Sequence, residues 1–158
     1  IEMHHTKLDQ AIPGDNIGIN LKGVAVTDIK RGDVLGHETN PPTIIGPEVA
    51  RVLARISVVW HPTSIAAGYT PVLHAHTLQI ATRFVKIKAK YAPTGELIEE
   101  NPSFIKTGDA ADVILEPIKK CVLEKAAEFP QLGRFAIRDM GQLIAVGVVR
   151  DILPPDAE

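Results

Sequence analysis

Arg134 and Arg138 stand four residues apart in the stretch Leu132-Gly-Arg-Phe-Ala-Ile-Arg-Asp-Met-Gly141. Read as a strand, this spacing puts both guanidinium groups on one face and Phe135 and Ile137 on the other, because side chains alternate at period two. Two forks held rigidly on a strand can grip phosphate oxygens in bidentate fashion. The same spacing also fits a solvated face whose arginines are met by neighbouring acids, and spacing alone leaves both readings open. Lys119, Lys120 and Lys125 precede the pair, while Arg51, Arg55 and Arg83 belong to other expected strands that barrel closure could bring near. Phosphate contacts from such cations position a nucleic acid without reading its sequence, and they weaken steeply with salt.

Bond-making chemistry finds little support. The chain has no Gly-x-x-x-x-Gly-Lys-Ser/Thr phosphate loop, no Gly-x-Gly-x-x-Gly and no Gly-x-Ser-x-Gly. Cys121 has no Cys-x-x-Cys partner and no nearby histidine to activate it. His74 and His76 are spaced to share a strand face, with His4, His5 and His61 as further donors. A zinc site would need four tetrahedral ligands and oriented outer partners, and the His-Glu-x-x-His spacing is absent. Ordinary hydrogen-bonded histidines are the favoured reading. The expectation is therefore no catalytic, cofactor or metal residue in this chain.

The elements that must carry these side chains are strands. In 158 residues valine, isoleucine, glycine and proline are plentiful and long helical periodicity is hard to find. No apolar run approaches the ~20 residues of a membrane helix, and no signal segment opens the chain. One cysteine and a net charge of −2 suit a reducing cytoplasm and exclude a bulk basic nucleic-acid binder, so any RNA contact must come from a local patch. Ile1 to Leu8 starts abruptly, as if inside a strand, and Asn16 to Leu21 alternates. Gly-Asp turns recur at Ile12-Pro-Gly-Asp15, Lys30-Arg-Gly-Asp33 and Lys106-Thr-Gly-Asp109, the second leading to a short strand at Val34 to Gly36. The prolines between His37 and Pro47 read as a linker. Val52 to Trp60 alternates cleanly, and Pro71 to His76 is a short strand. Thr77 to Lys90 changes phase, from Leu78, Ile80 and Phe84 inward to Val85, Ile87 and Ala89 inward, as a bulge would make it. Ala111 to Leu115 and Cys121 to Lys125 are further strands. Leu143 to Val149, apolar on both faces, reads as a strand covered on each side.

Ordered stretches across nearly the whole chain resemble the translation elongation factor 1-alpha family in its archaeal and eukaryotic form, whose bacterial counterpart is elongation factor Tu. They include Ile1-Glu-Met-His-His5, Pro13-Gly-Asp-Asn-Ile-Gly18, Asp28-Ile-Lys-Arg-Gly-Asp-Val34, Trp60-His-Pro62, Ala67-Gly-Tyr-Thr-Pro-Val72, Phe104-Ile-Lys-Thr-Gly-Asp109 and Gly133-Arg-Phe-Ala-Ile-Arg-Asp-Met-Gly141. The wording favours the archaeal branch. The resemblance implies an all-β chain of two β-barrel units: the back half of a middle barrel over 1–37, a linker over 38–47, a complete six-stranded C-terminal barrel over 48–153 and a tail over 154–158. It implies delivery of aminoacyl-tRNA to the ribosome in a GTP-dependent manner, with GTP and Mg held by a GTPase domain that these residues do not resemble. By similarity, Glu2 matches a position packing on the terminal adenosine, His5 and Asn16 positions near the aminoacyl end, and Arg31 one near the 5′ phosphate. Lys125, Arg134, Arg138 and Gly141 match or adjoin positions touching the T-stem backbone. The alternative is a protein-interaction barrel that docks an exchange factor or a tRNA-mimic release or surveillance factor. Residues 1–37 lack the first strands of a barrel, so they are expected to fold irregularly, to pair with another chain, or to complete a barrel whose other half lies on a separate polypeptide, rather than close on themselves.

Overall fold

Alternation decides the walls. In β4 (Arg51–Val58), Val52, Ala54, Ile56 and Val58 are buried while Arg51, Leu53, Arg55 and Ser57 between them are not. A computed structural model describes residues 1–158 and divides them into two units, 1–30 and 31–158.

In the second unit, six antiparallel strands close into a barrel: β5 (Val72–Ala75), β10 (Arg134–Asp139), β11 (Gln142–Leu153), β4, β8 (Ala110–Pro117) and β6 (Leu78–Tyr91), with β6 returning to pair with β5. β7 (Leu97–Glu100) hangs on the far end of β6, and a separate pair joins β3 (Ile44–Ile45) to β9 (Cys121–Val122). The interior is filled by Ile56, Leu73, Phe84, Leu115, Ile137 and their neighbours, each contributing ~1.5–3 kcal/mol by leaving water. Ile65 and Ile105, from two loops, exchange backbone hydrogen bonds of 2.7 and 2.9 Å and are wholly buried in the same core.

β6 confirms the expected change of phase and shows its cause. Its pairing with β8 shifts between Phe84 and Lys86 and again between Ile87 and Ala89. Phe84, Ile87 and Ala89 are buried; Val85, expected inward, is instead the unpaired bulge residue and only half-buried. Other expectations are corrected. Val34 to Gly36 and Asn16 to Leu21 form no strand, the latter contributing only a bridge between Gly18 and Glu2. The strand at Cys121 ends at Val122, because the chain then turns so that the Glu124 amide donates to the Leu132 carbonyl. His76 lies in the turn after β5 at φ 42°, so it does not continue the strand alternation of His74. Within the stretch read as a linker, Ile44 and Ile45 pair with β9, and Ile45 is wholly buried. There Glu124, 7% exposed, accepts from the Thr43 amide at 2.7 Å and its hydroxyl at 2.8 Å.

The unit 1–30 has a minimal hairpin, β1 (Glu2–Met3) with β2 (Thr6–Lys7), turned by His4 and His5 at φ 50° and 64°. Glu2 and Gly18 exchange backbone hydrogen bonds of 2.8 and 2.7 Å. Asp15 closes its turn by accepting from the Ile12 amide at 3.1 Å, as Asp109 does from Lys106 at 2.9 Å in the other unit. No residue of 1–30 is buried, and Ile1, Ile12, Ile19, Leu21, Val24, Val26 and Ile29 are exposed. These residues close no barrel of their own.

Candidate nucleic-acid interface

The hairpin β10–β11 is built on a two-residue turn. Asp139 pairs with Gln142, and Met140 and Gly141 between them both take positive φ, 52° and 70°, the twist that suits antiparallel strands. Open space surrounds the place a Cβ would occupy on Gly141, so backbone conformation alone favours glycine there. Gly133, ahead of Arg134, is different: a Cβ would collide with the backbone of Ala126 and Glu124. That close crossing, with the Ala126 amide donating to the Val149 carbonyl at 3.0 Å, sets where β10 begins. The turn Pro130–Gly133 (α1) leads into it.

Along β10 Phe135 and Ile137 are buried and Arg134 and Arg138 exposed, as the alternation predicts. At ~3.3 Å per residue the two α-carbons are roughly 13 Å apart along one face. Neither guanidinium has an ion pair or hydrogen bond with the rest of the chain. The solvated-face reading with acids as partners thus does not describe this pair.

The acids are committed elsewhere on the wall. Asp112 accepts from Arg55 Nε at 2.6 Å and Nη2 at 3.0 Å and from the Tyr91 hydroxyl at 3.0 Å, with Arg150 3.9 Å away. Glu116 holds Arg51 at 2.7 Å and Arg83 at 3.3 Å. Burial pushes the Asp112 carboxyl up, but its bonds to Arg55 and Tyr91 and the nearby positive charges outweigh this and hold it below the usual range. The bond to Asp112 raises Arg55 further still, and the same carboxylate raises Tyr91. Arg55 also lies 4.2 Å over the Tyr91 ring. Arg51, Arg55 and Arg83 therefore do not join the open pair.

Register places one row across the wall: Asp112, Arg55, Val148, Arg134. The adjoining row runs Ala110, Ser57, Val146, Ala136, His74. Between them lies a shallow apolar strip, with Val146 42% exposed. The expectation that β11 is covered on both faces fails here, because nothing in the unit packs on the outside of Val146.

Lys125 lies beside Ala126, near the start of β10, within 4.0 Å of Glu128 and 3.9 Å of Asp151, so its charge is partly answered. Arg31 is exposed at the start of the second unit; Glu2, His5 and Asn16 are exposed in the first. Arg134, Arg138 and Gly141 are thus gathered on one hairpin, with Lys125 near its base. Sequence reading missed the Asp112 hub and the bond from the Tyr69 hydroxyl to Asp139 Oδ2 at 2.8 Å. Both join residues far apart in the chain, and no local pattern signals either.

Residues 51–150 match the family model described as GTP-eEF1A C-terminal domain-like, and residues 1–36 match elongation factor Tu domain 2. Elongation factor 1-alpha of Ignicoccus hospitalis is 57% identical over 159 positions, covering 100% of this chain and 35% of that protein. That of Thermococcus kodakarensis is 59% identical, covering 99% of this chain and 36% of its own length. Among solved structures, Sup35 complexed with GDP matches with a TM-score of 0.73 at 31% identity, over 80% of this chain and 30% of Sup35. The chain spans about a third of the curated relatives it matches.

Proposed function

The chain belongs to the elongation factor 1-alpha family, of which it carries the C-terminal part, and on that footing we propose that it binds aminoacyl-tRNA for GTP-dependent delivery to the ribosome in the cytoplasm. The observation that supports this most is the pair Arg134 and Arg138, exposed and unneutralised on a rigid hairpin while other arginines of the wall are held by Asp112 and Glu116. Fixed guanidinium forks suit phosphate oxygens. Double-helical RNA offers backbone and shape rather than readable base edges, which suits a protein serving many tRNAs. In this reading Arg134, Arg138, Gly141 and Lys125 meet the T-stem backbone, while Glu2, His5, Asn16 and Arg31 serve the acceptor end and 5′ terminus.

In this reading GTP and its Mg are held by parts of the longer relatives that lie outside the residues matched here. No strand here runs through a phosphate loop into a helix, and the only α-helix is the four-residue turn Pro130–Gly133. A second reading, in which the wall docks a protein such as an exchange factor or a tRNA-mimic factor, draws on the exposed apolar strip at Val146.

Binding of a labelled aminoacyl-tRNA across a range of KCl concentrations separates the two. In Arg134→Ala/Arg138→Ala the affinity should fall and the log–log salt slope should shrink by about 1.4–1.8, two contacts' worth. Unchanged affinity and slope would remove the RNA reading and leave the docking one.

A further inference from the structure

We propose that Tyr69 is a positioning residue for the RNA contact, holding the β10–β11 turn, and Arg138 with it, through Asp139. The inference rests on the RNA-binding reading above. The Tyr69 hydroxyl donates to Asp139 Oδ2 at 2.8 Å, and Asp139 Oδ1 accepts the Met140 amide at 2.9 Å. One carboxylate thus joins a distant tyrosine to the first residue of the turn. Tyr69 is itself well anchored: its ring lies edge-on to His61 at 5.2 Å and against Phe84 at 5.7 Å. Its carbonyl accepts the Phe84 amide at 2.8 Å. Burial, then the bond and charge of Asp139, push the hydroxyl above its ordinary pKa, so it remains a donor through the neutral range.

The turn needs such a tie more than the rest of the hairpin does. Met140 is a non-glycine residue at positive φ. Immediately before the turn the β10–β11 register shifts between Ile137 and Arg138, so that Ile144 faces no residue of β10. Arg138 therefore stands at a bulge, opposite Leu143 and Val72. Arg134 lies in regular ladder opposite Val148 and is placed independently of the turn. The tie at Tyr69 should thus matter to one arginine and not to the other.

The test measures binding of a fluorescein-labelled aminoacyl-tRNA by the whole chain over a KCl series, with urea unfolding to monitor folding. Tyr69→Phe keeps the ring and removes the bond. We expect about tenfold weaker binding and a salt slope smaller by about 0.7–0.9, one contact's worth. Adding Arg138→Ala to it should cost less than about twofold more, whereas Arg134→Ala should keep its full effect. Asp139→Ala gives a second route: deleting a carboxylate near an RNA site favours binding electrostatically, so weaker binding supports positioning and stronger binding overturns it. Equal cost of Arg138→Ala in both backgrounds also overturns the proposal, as does normal binding by Tyr69→Phe where Arg138→Ala alone binds poorly. If neither arginine variant alters binding, the RNA reading falls first and this inference with it.

Discussion

Replacing Asp112 by asparagine should separate the two kinds of arginine on the barrel wall. The carboxylate receives two bonds from Arg55 and one from Tyr91, with Arg150 close by. A charge-assisted bond contributes ~1.5–3 kcal/mol. The Arg55 side chain is 37% exposed, so solvent screens part of that, and the amide oxygen still accepts one bond. The expected loss is about 2 kcal/mol at neutral pH, read from urea unfolding. Because folding holds the Asp112 carboxyl low, its stabilisation is complete above the ordinary carboxyl value of ~3.9 and is lost as pH falls through the lower folded value. Asparagine does not titrate. The gap between parent and variant should therefore be widest near neutrality and close in acid below about pH 4. On the RNA-binding reading, the same variant releases Arg55, in the row that holds Arg134, and Arg150 close to Asp112, so the salt slope of tRNA binding should rise by about 0.7–0.9 for each new phosphate contact. A stability gap that persists unchanged into acid would refute the assignment of the effect to the carboxylate charge. An unaltered salt slope would refute neutralisation as what keeps Arg55 off the RNA.

Two further substitutions test the frame that carries the pair. Glu124→Ala leaves the Thr43 amide and hydroxyl without their acceptor in a half-buried place, and should cost about 2–3 kcal/mol in urea unfolding, with faster hydrogen exchange at Thr43 and Ile45. Gly141→Ala meets open space and should cost only the left-handed backbone penalty, about 1–2 kcal/mol. Gly133→Ala meets backbone and should cost more; a reversal of that order would contradict the crossing at Ala126.

The barrel walls were legible because their signal is local. Alternation in Val52 to Val58 and in Arg134 to Ile137 names the inward face directly, and the phase change in Leu78 to Tyr91 betrays a bulge. The exact bulge residue was not legible, since Val85 and Ile87 are equally apolar and only pairing with β8 decides between them. Short strands failed for the complementary reason. Val34 to Gly36 has strand composition, but a strand exists only with a neighbour to bond, and none pairs with it. β7 escaped notice because Leu97 to Glu100 is exposed throughout and carries no alternation of burial. For the site, the shared face of Arg134 and Arg138 could be read from spacing. That no acid answers them could not, because it depends on where Asp112 and Glu116 point across three strands.

Closure of β5 onto β6 has a consequence for what can recognise this drum. A sheet with free sides invites an extended peptide to add itself as one more strand, bonded main chain to main chain. Here the hydrogen-bonding rows run round and meet, and the outer margin of the seven-stranded sheet is only β7, four exposed residues ending in Glu99 and Glu100. Adjacent negative charges on so short a margin discourage lateral growth. A visitor to the drum must therefore be read by side chains standing on its outside.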